Sequence, residues 1–261
     1  MDGYPVNLIL TVAIASATLF LGFLPTKKIR PEFFARETLW AALGWLIVAV
    51  LSPPAILHYP LILGVLCLAA WWQFREDNLF KAKMWLTLAS ALGISVGVIL
   101  ILAVTPRANP PGIPLLNETL LLSSIYLGGV IIGLAYVCFA LTQGANVKSG
   151  ISHSMVYRHV VLLQILALTR AAVLLGSCYY SDIGLKPRPT GSPYHPSHFL
   201  LAYGPRLELL LLGLAVVFLP ALAFLAKRAA HFSSRVQPIR ILIAVCAVGF
   251  LAEILARLLA L

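Results

Sequence analysis

The chain has 261 residues, 61% of them hydrophobic and only 11% charged, with a formal net charge of +10 and a mean hydropathy of +0.95. Water-soluble domains run at roughly 45–50% apolar and about 25% charged, so a soluble globule, a secreted disulfide scaffold and a disordered chain are excluded. A polytopic membrane protein remains, and its positive charge reads as cationic loops at a membrane surface before it reads as a nucleic-acid footprint.

In chain order, apolar segments lie at about 5–24, 38–57, 60–73, 84–104, 119–142, 157–178, 198–226 and 239–260. Most approach the ~20 residues needed to cross about 30 Å of hydrocarbon. They predict an all-α integral membrane protein of about eight transmembrane helices, packed as helical bundles in one domain over 1–261. The first segment makes a poor cleaved signal, because Asp2 stands where basic residues belong and the positive charges follow it. It is expected to stay as a helix. Pro53, Pro54 and Pro60 separate the second segment from the third, with His58 closing the second on this reading. The third is short and ends on Trp71 and Trp72, as interfacial aromatic anchors do. In the fifth, Gly129 and Gly133 form a small-xxx-small step that permits close helix contact. Two Pro-rich stretches, 105–114 and 181–198, cannot lie in lipid with unpaired backbone groups and belong on a surface or against another protein.

Orientation follows from the basic residues. The loops after helices one, three, five and seven hold thirteen of the nineteen Lys and Arg, whereas those after two, four and six hold only Arg107, Lys186 and Arg188. The positive-inside rule then puts both termini on the non-cytoplasmic side.

A few charges fall inside the apolar runs: Arg170 in the sixth, Arg206 and Glu208 near the start of the seventh, Glu253 and Arg257 in the eighth. An ionised group at mid-bilayer costs roughly 2.5–3.5 kcal/mol even on a lenient scale, so all five are expected to face the bundle interior. Glu253 and Arg257 stand i, i+4 and can pair on one helix face; an interhelical ion pair or a polar ligand site are the other uses of such charges. The six histidines, at 58, 153, 159, 195, 198 and 231, sit near segment ends or in loops. Haem ligation needs them paired mid-helix, so no haem is expected. Cys67, Cys138, Cys178 and Cys246 have no CxxC spacing and read as buried thiols, with no metal site. His58 is the exception worth chemistry: an imidazole at a helix end can hydrogen-bond a quinone carbonyl or take a quinol proton. No phosphate-cradling loop, HExxH, nucleophile elbow or pair of catalytic carboxylates is present, so no catalytic residue is assigned.

Several stretches together resemble the membrane anchor subunits of the dimethyl sulfoxide reductase group, including those of related sulfite-oxidising complexes. They are the polar Pro-rich lead into Tyr126-Leu-Gly-Gly-Val-Ile-Ile-Gly133, the Gly204-Pro-Arg-Leu-Glu-Leu-Leu-Leu-Leu212 start of a Leu-rich helix, the closing Leu251-Ala-Glu-Ile-Leu-Ala-Arg257, and Ala55-Ile-Leu-His58. The likeness covers eight helices in the same order and is strongest after residue 84. One departure stands out. The family's third helix usually opens on an Arg-Glu or Asn-Glu step, but here Arg36-Glu37-Thr38 precedes the second helix. Either the N-terminal half aligns differently or that acidic site is missing.

The resemblance implies a haem-free subunit of a bacterial inner membrane, serving electron transport in anaerobic or sulfur respiration. It would tether a molybdopterin catalytic subunit and a ferredoxin-like iron–sulfur subunit, which carry those cofactors, and bind menaquinone or ubiquinone near the docking face. His58 would contact the quinone head group, and Arg206, Glu253 and Arg257 would complete the quinone site or its proton route. Two other classes compete. A small multi-helix transporter or channel would line its path with the interior charges, yet no convincing internal repeat relates 1–130 to 131–261. An enzyme of lipid-linked substrates would need acidic metal-binding clusters, which are absent.

Overall fold

Prolines and charges decide where the chain leaves its helices. The computed structural model describes residues 4–104, 115–146, 151–184, 210–231 and 237–260, and among these there are helices and turns but no strand. The helices are α1 (Tyr4–Phe23), α2 (Pro31–Leu51), α3 (His58–Arg75), α4 (Leu79–Val104), α5 (Leu115–Asn146), α6 (His153–Gly184), α7 (Leu210–His231) and α8 (Gln237–Ala260). A single 3-10 turn, Pro54–Ile56, bridges α2 and α3. A π-helical stretch, Gly213–Phe218, lies within α7.

The second helix departs most from the sequence expectation. It begins at Pro31 instead of 38, because proline at the first helical position has a preset φ and no amide hydrogen to leave unpaired. Glu32, Arg36 and Glu37 hide that start from a hydropathy scan. It ends at Leu51 instead of 57, because Pro53 and Pro54 supply no amide hydrogens to continue it. His58 therefore opens α3 rather than closing the helix before it, and Arg36-Glu37 lies within α2 rather than ahead of it. The third helix runs on past Trp72 to Arg75. Asp77, in the left-handed region at φ 55°, makes the tight turn into α4. Lys83 of α4 donates from Nζ to the Leu24 carbonyl at 2.7 Å, just past the C-terminal end of α1. Of the Pro-rich stretches, 105–114 and 185–198 lie outside the described residues.

Two rings of four helices result. In the first, α1 packs on α2, α2 on α3, α3 on α4, and α4 returns to α1; in the second, α5, α6, α7 and α8 close in the same order. The glycines give the helix directions. Gly22 faces Thr87, Gly93 faces Ala15 and Gly97 faces Val12, so α1 and α4 run antiparallel. Gly129 meets Val12 and Gly133 meets Ala13 to Ala17, so α1 and α5 run parallel where the rings join. The neighbour order thus repeats although no repeat is visible in the sequence. Apolar residues facing lipid or core substitute freely for one another, so a repeated packing leaves little trace in residue identity.

Burial is arranged for lipid. The joining helix α1 buries Leu8, Ile9, Val12, Ala13, Ala15 and Leu21, whereas α2, α3, α4, α6, α7 and α8 turn large apolar side chains outward. Val50 is 86% exposed, and Val65, Ile99, Val217 and Ile243 are also exposed. Such a surface in water would be an aggregation liability; against hydrocarbon it is the ordinary exterior. Six of the helices are long and apolar enough to cross a membrane, and α1 adds a shorter apolar stretch, Asn7–Phe23. The architecture is that of a helical membrane protein. Cys67 and Cys138 are buried free thiols and Cys246 is partly buried; the side chain of Cys178 lies outside the description.

The ring junction leaves no room for side chains. A Cβ on Gly133 would run into the backbone of α1 at Ala13 and Ala17, whereas one on Gly176 would meet nothing within 4 Å. Gly133→Ala should therefore cost about 1–3 kcal/mol through overpacking. Gly176→Ala should be neutral or gain up to about 1 kcal/mol from helix propensity. Thermal unfolding of the two variants in mild detergent, compared side by side, tests this.

Candidate functional site

Buried polar groups gather at three places, and each is set at a crossing of helices. The first holds two of the interior charges expected from sequence. Arg170 of α6 and Glu253 of α8 are both 0% exposed, and Arg170 Nη2 donates to Glu253 Oε1. Gly128 of α5 makes this possible: a Cβ there would fall on the Glu253 carboxylate and crowd the Arg170 guanidinium. The i, i+4 spacing offered Arg257 as a partner of Glu253, with an interhelical pair as another use of such charges; the structure brings Arg170 to Glu253 from another helix. The side chain of Arg257 lies outside the description, as do Arg206 and Glu208 altogether.

The second place was not anticipated. Glu37 of α2 is 3% exposed and takes a hydrogen bond from the Tyr136 hydroxyl of α5 at 2.7 Å. Its other oxygen accepts from Arg36 Nε at 2.7 Å. Arg36 also lies over the Phe33 ring, 5.7 Å from its centroid, with its side chain 44% exposed. This constellation ties the first ring to the second. Sequence reasoning placed Glu37 before the helix because the apolar run appeared to start after it. Pro31, six residues earlier, was the available signal.

The third place is a cleft at the end of the first ring, where α1 begins and α2 ends. Its volume is about 230 Å³, counting its open mouth, and its walls include Trp45, Val48, Leu63, Val96 and Leu100. The polar lining is Asn7, Thr11, Ser52 and Tyr59. Asn7 is buried, and its Nδ2 donates to Ser52 Oγ at 2.8 Å. His58 is exposed and does not line the cleft. Its ring lies against that of Tyr59, which does, at 4.1 Å between centroids and an interplanar angle of 39°.

Among the described residues, the predicted ones fall in two places. His58 belongs to the first ring, Arg170 and Glu253 to the second. Among the described residues no three His, Cys, Asp or Glu side chains come together to hold a metal ion. His153 opens α6, His159 Nδ1 donates to the Met155 carbonyl at 2.8 Å, and the His231 ring lies 5.8 Å from that of Tyr157. His195 and His198 lie outside the description. Comparison of the chain with protein-family models, with curated proteins and with solved structures finds no match.

The polar crossings carry different expected energies. Removing one partner of a fully buried ion pair leaves an uncompensated charge, so Arg170→Met should destabilise by about 3–5 kcal/mol. Adding Glu253→Gln to it should recover part of that loss, a coupling that a double-mutant cycle on denaturation midpoints measures. Tyr136→Phe removes one hydrogen bond to a carboxylate and should cost about 1.5–3 kcal/mol.

Proposed function

We propose that this chain is the quinone-binding membrane anchor subunit of a molybdopterin and iron–sulfur oxidoreductase complex. It exchanges electrons between the quinone pool and a ferredoxin-like iron–sulfur subunit. On this reading it crosses a bacterial inner membrane about eight times, with both termini on the non-cytoplasmic side.

The observation that carries the reading is the cleft beside His58 and Tyr59. A quinone head group asks for a flat apolar slot with a few polar atoms at its oxygens. The cleft offers Trp45, Val48 and Leu63 as walls and Asn7, Ser52 and Tyr59 as polar lining. The isoprenoid tail of a quinone bound there would stay in lipid, against the exposed Leu61 and Ile62 of α3. His58, exposed and in ring contact with Tyr59, would pass a quinol proton to water. The redox chemistry belongs to the quinone and to the partner's clusters; this chain supplies binding, orientation and the proton's exit. By the charge asymmetry the cleft lies at the non-cytoplasmic side, and a cluster able to receive electrons from it belongs on that face. Arg206, Glu253 and Arg257 enter this reading only as companions of the quinone site or its proton route.

A second reading rests on Arg170, whose Nε and Nη1 have no hydrogen-bond partner among the described residues. A guanidinium so placed could meet an anionic substrate in a small multi-helix transporter.

Gentle solubilisation from the native membrane separates the two. Iron, molybdenum and quinone should co-purify without haem absorbance, whereas a lone chain carrying neither metal nor quinone would overturn the anchor reading in favour of transport. In the intact complex, His58→Ala should lower quinone-coupled turnover at least about a hundredfold with an unchanged unfolding midpoint, because the side chain is exposed.

A further inference from the structure

The end of the first ring where α1 meets α2 and α3 meets α4 pairs positive charge with bare apolar surface. Lys27, Lys28, Arg30, Arg36, Arg75 and Lys81 are exposed there, against the exposed carboxylates of Glu32, Glu76 and Asp77. The other end of this ring, where α1 and α3 begin and α2 and α4 end, carries no Lys or Arg. At the basic end α1 and α4 cross closely. Lys83 Nζ donates to the Leu24 carbonyl at 2.7 Å, and a Cβ on Gly22 would lie 3.8 Å from Thr87 Oγ1. Lys83 is partly buried, and the other protons of its ammonium have no partner among the described residues. The Lys28 amide donates to the Pro25 carbonyl at 3.3 Å, a turn that keeps Lys27 and Lys28 beside the end of α1. Phe80, Met84 and Thr87 share one face of α4 by their spacing, and Thr87 is the residue that faces α1. Phe80 is 80% exposed, and Phe23, next to Gly22, is 77% exposed. Cations and bare hydrocarbon thus share one crossing.

We propose that this crossing of α1 and α4 is a binding site for an anionic phospholipid. Lys83, Lys27 and Lys28 hold the headgroup phosphate, and an acyl chain lies along Phe80, Met84 and Phe23. The apolar side chains decide the class of ligand. An acidic soluble protein would meet the lysines and leave Phe80 and Phe23 uncovered, whereas one lipid molecule meets both. A zwitterionic lipid brings its own cation to its phosphate, so a net negative headgroup is what the lysines select. Lys83 differs from its exposed neighbours, because the bond to Leu24 holds its ammonium at the crossing and less rotamer freedom is lost when the phosphate arrives. The site lies at the opposite end of the first ring from the cleft of Asn7 and Ser52, and it does not depend on the quinone reading.

The test is native mass spectrometry of the full chain in detergent doped with phosphatidylglycerol and phosphatidylcholine of identical acyl chains. The wild type should retain phosphatidylglycerol at least about tenfold over phosphatidylcholine. Lys83→Met should cut that preference about fivefold, the worth of one basic side chain at an anionic surface. Lys27→Gln combined with Lys28→Gln, both exposed and outside the core, should cut it at least as far. Arg158→Gln combined with Arg240→Gln, exposed basic residues of the second ring, should leave it within about twofold. Millimolar glycerol 3-phosphate should displace no lipid, since it lacks the chain that Phe80 and Phe23 receive; displacement would overturn the lipid in favour of a free phosphate ester. Equal retention of both lipids by the wild type would overturn the site and leave the lysines to the acidic face of a soluble protein. Equal losses from the first-ring and second-ring substitutions would overturn it too, as the mark of diffuse surface charge.

Discussion

Everything in this molecule hangs on how closely α1 and α5 approach. Gly129 and Gly133 bring the two backbones within a distance that excludes even a methyl group, and the two four-helix rings meet along that seam. Association inside a membrane has little hydrophobic drive, since lipid tails are as apolar as leucine side chains, so it relies on packing and on polar contacts between helices. The seam supplies the packing. The Tyr136–Glu37 bond, one turn beyond Gly133, supplies a polar contact between the same two rings.

The polar groups follow a common design. Each buried charge or amide stands where a second helix can satisfy part of its demand. Gly128 admits the Arg170–Glu253 pair. The end of α2 lets Ser52 reach Asn7. Glu37 draws on Arg36 from its own helix and Tyr136 from another. What differs is the remainder: Glu37 has a donor on each oxygen, whereas Asn7 Oδ1 has none among the described residues.

The helical class and the positions of most helices were legible in the sequence, because apolar runs near 20 residues long carry that signal directly. The start of α2 was not, since Glu32, Arg36 and Glu37 broke the run that Pro31 had opened. The interior location of Arg170 and Glu253 was legible from the cost of their charges. Their pairing was not: i, i+4 spacing speaks only for contacts within one helix, and this one spans two, 83 residues apart. The glycine step in α5 was read as packing, and Gly129 and Gly133 serve that end. Gly128 does something that no spacing rule reports, making room for an ion pair contributed by two other helices. Asn7 escaped notice because an amide near the start of an apolar run costs too little to stand out. Its meaning comes from Ser52, 45 residues away.

The seam also constrains how the protein is made. Ser16 of α1 is buried beside Gly133 of α5, and the two lie more than a hundred residues apart in the chain. A ribosome adding about 5–20 residues per second leaves α1 in the bilayer on the order of ten seconds before its partner emerges. During that interval α2, α3 and α4 can close around α1, but its glycine-fitted face stays against lipid or the insertion machinery. Assembly is therefore sequential by geometry: the first ring forms with an open flank, and α5 is received into a groove that the earlier helices have already shaped.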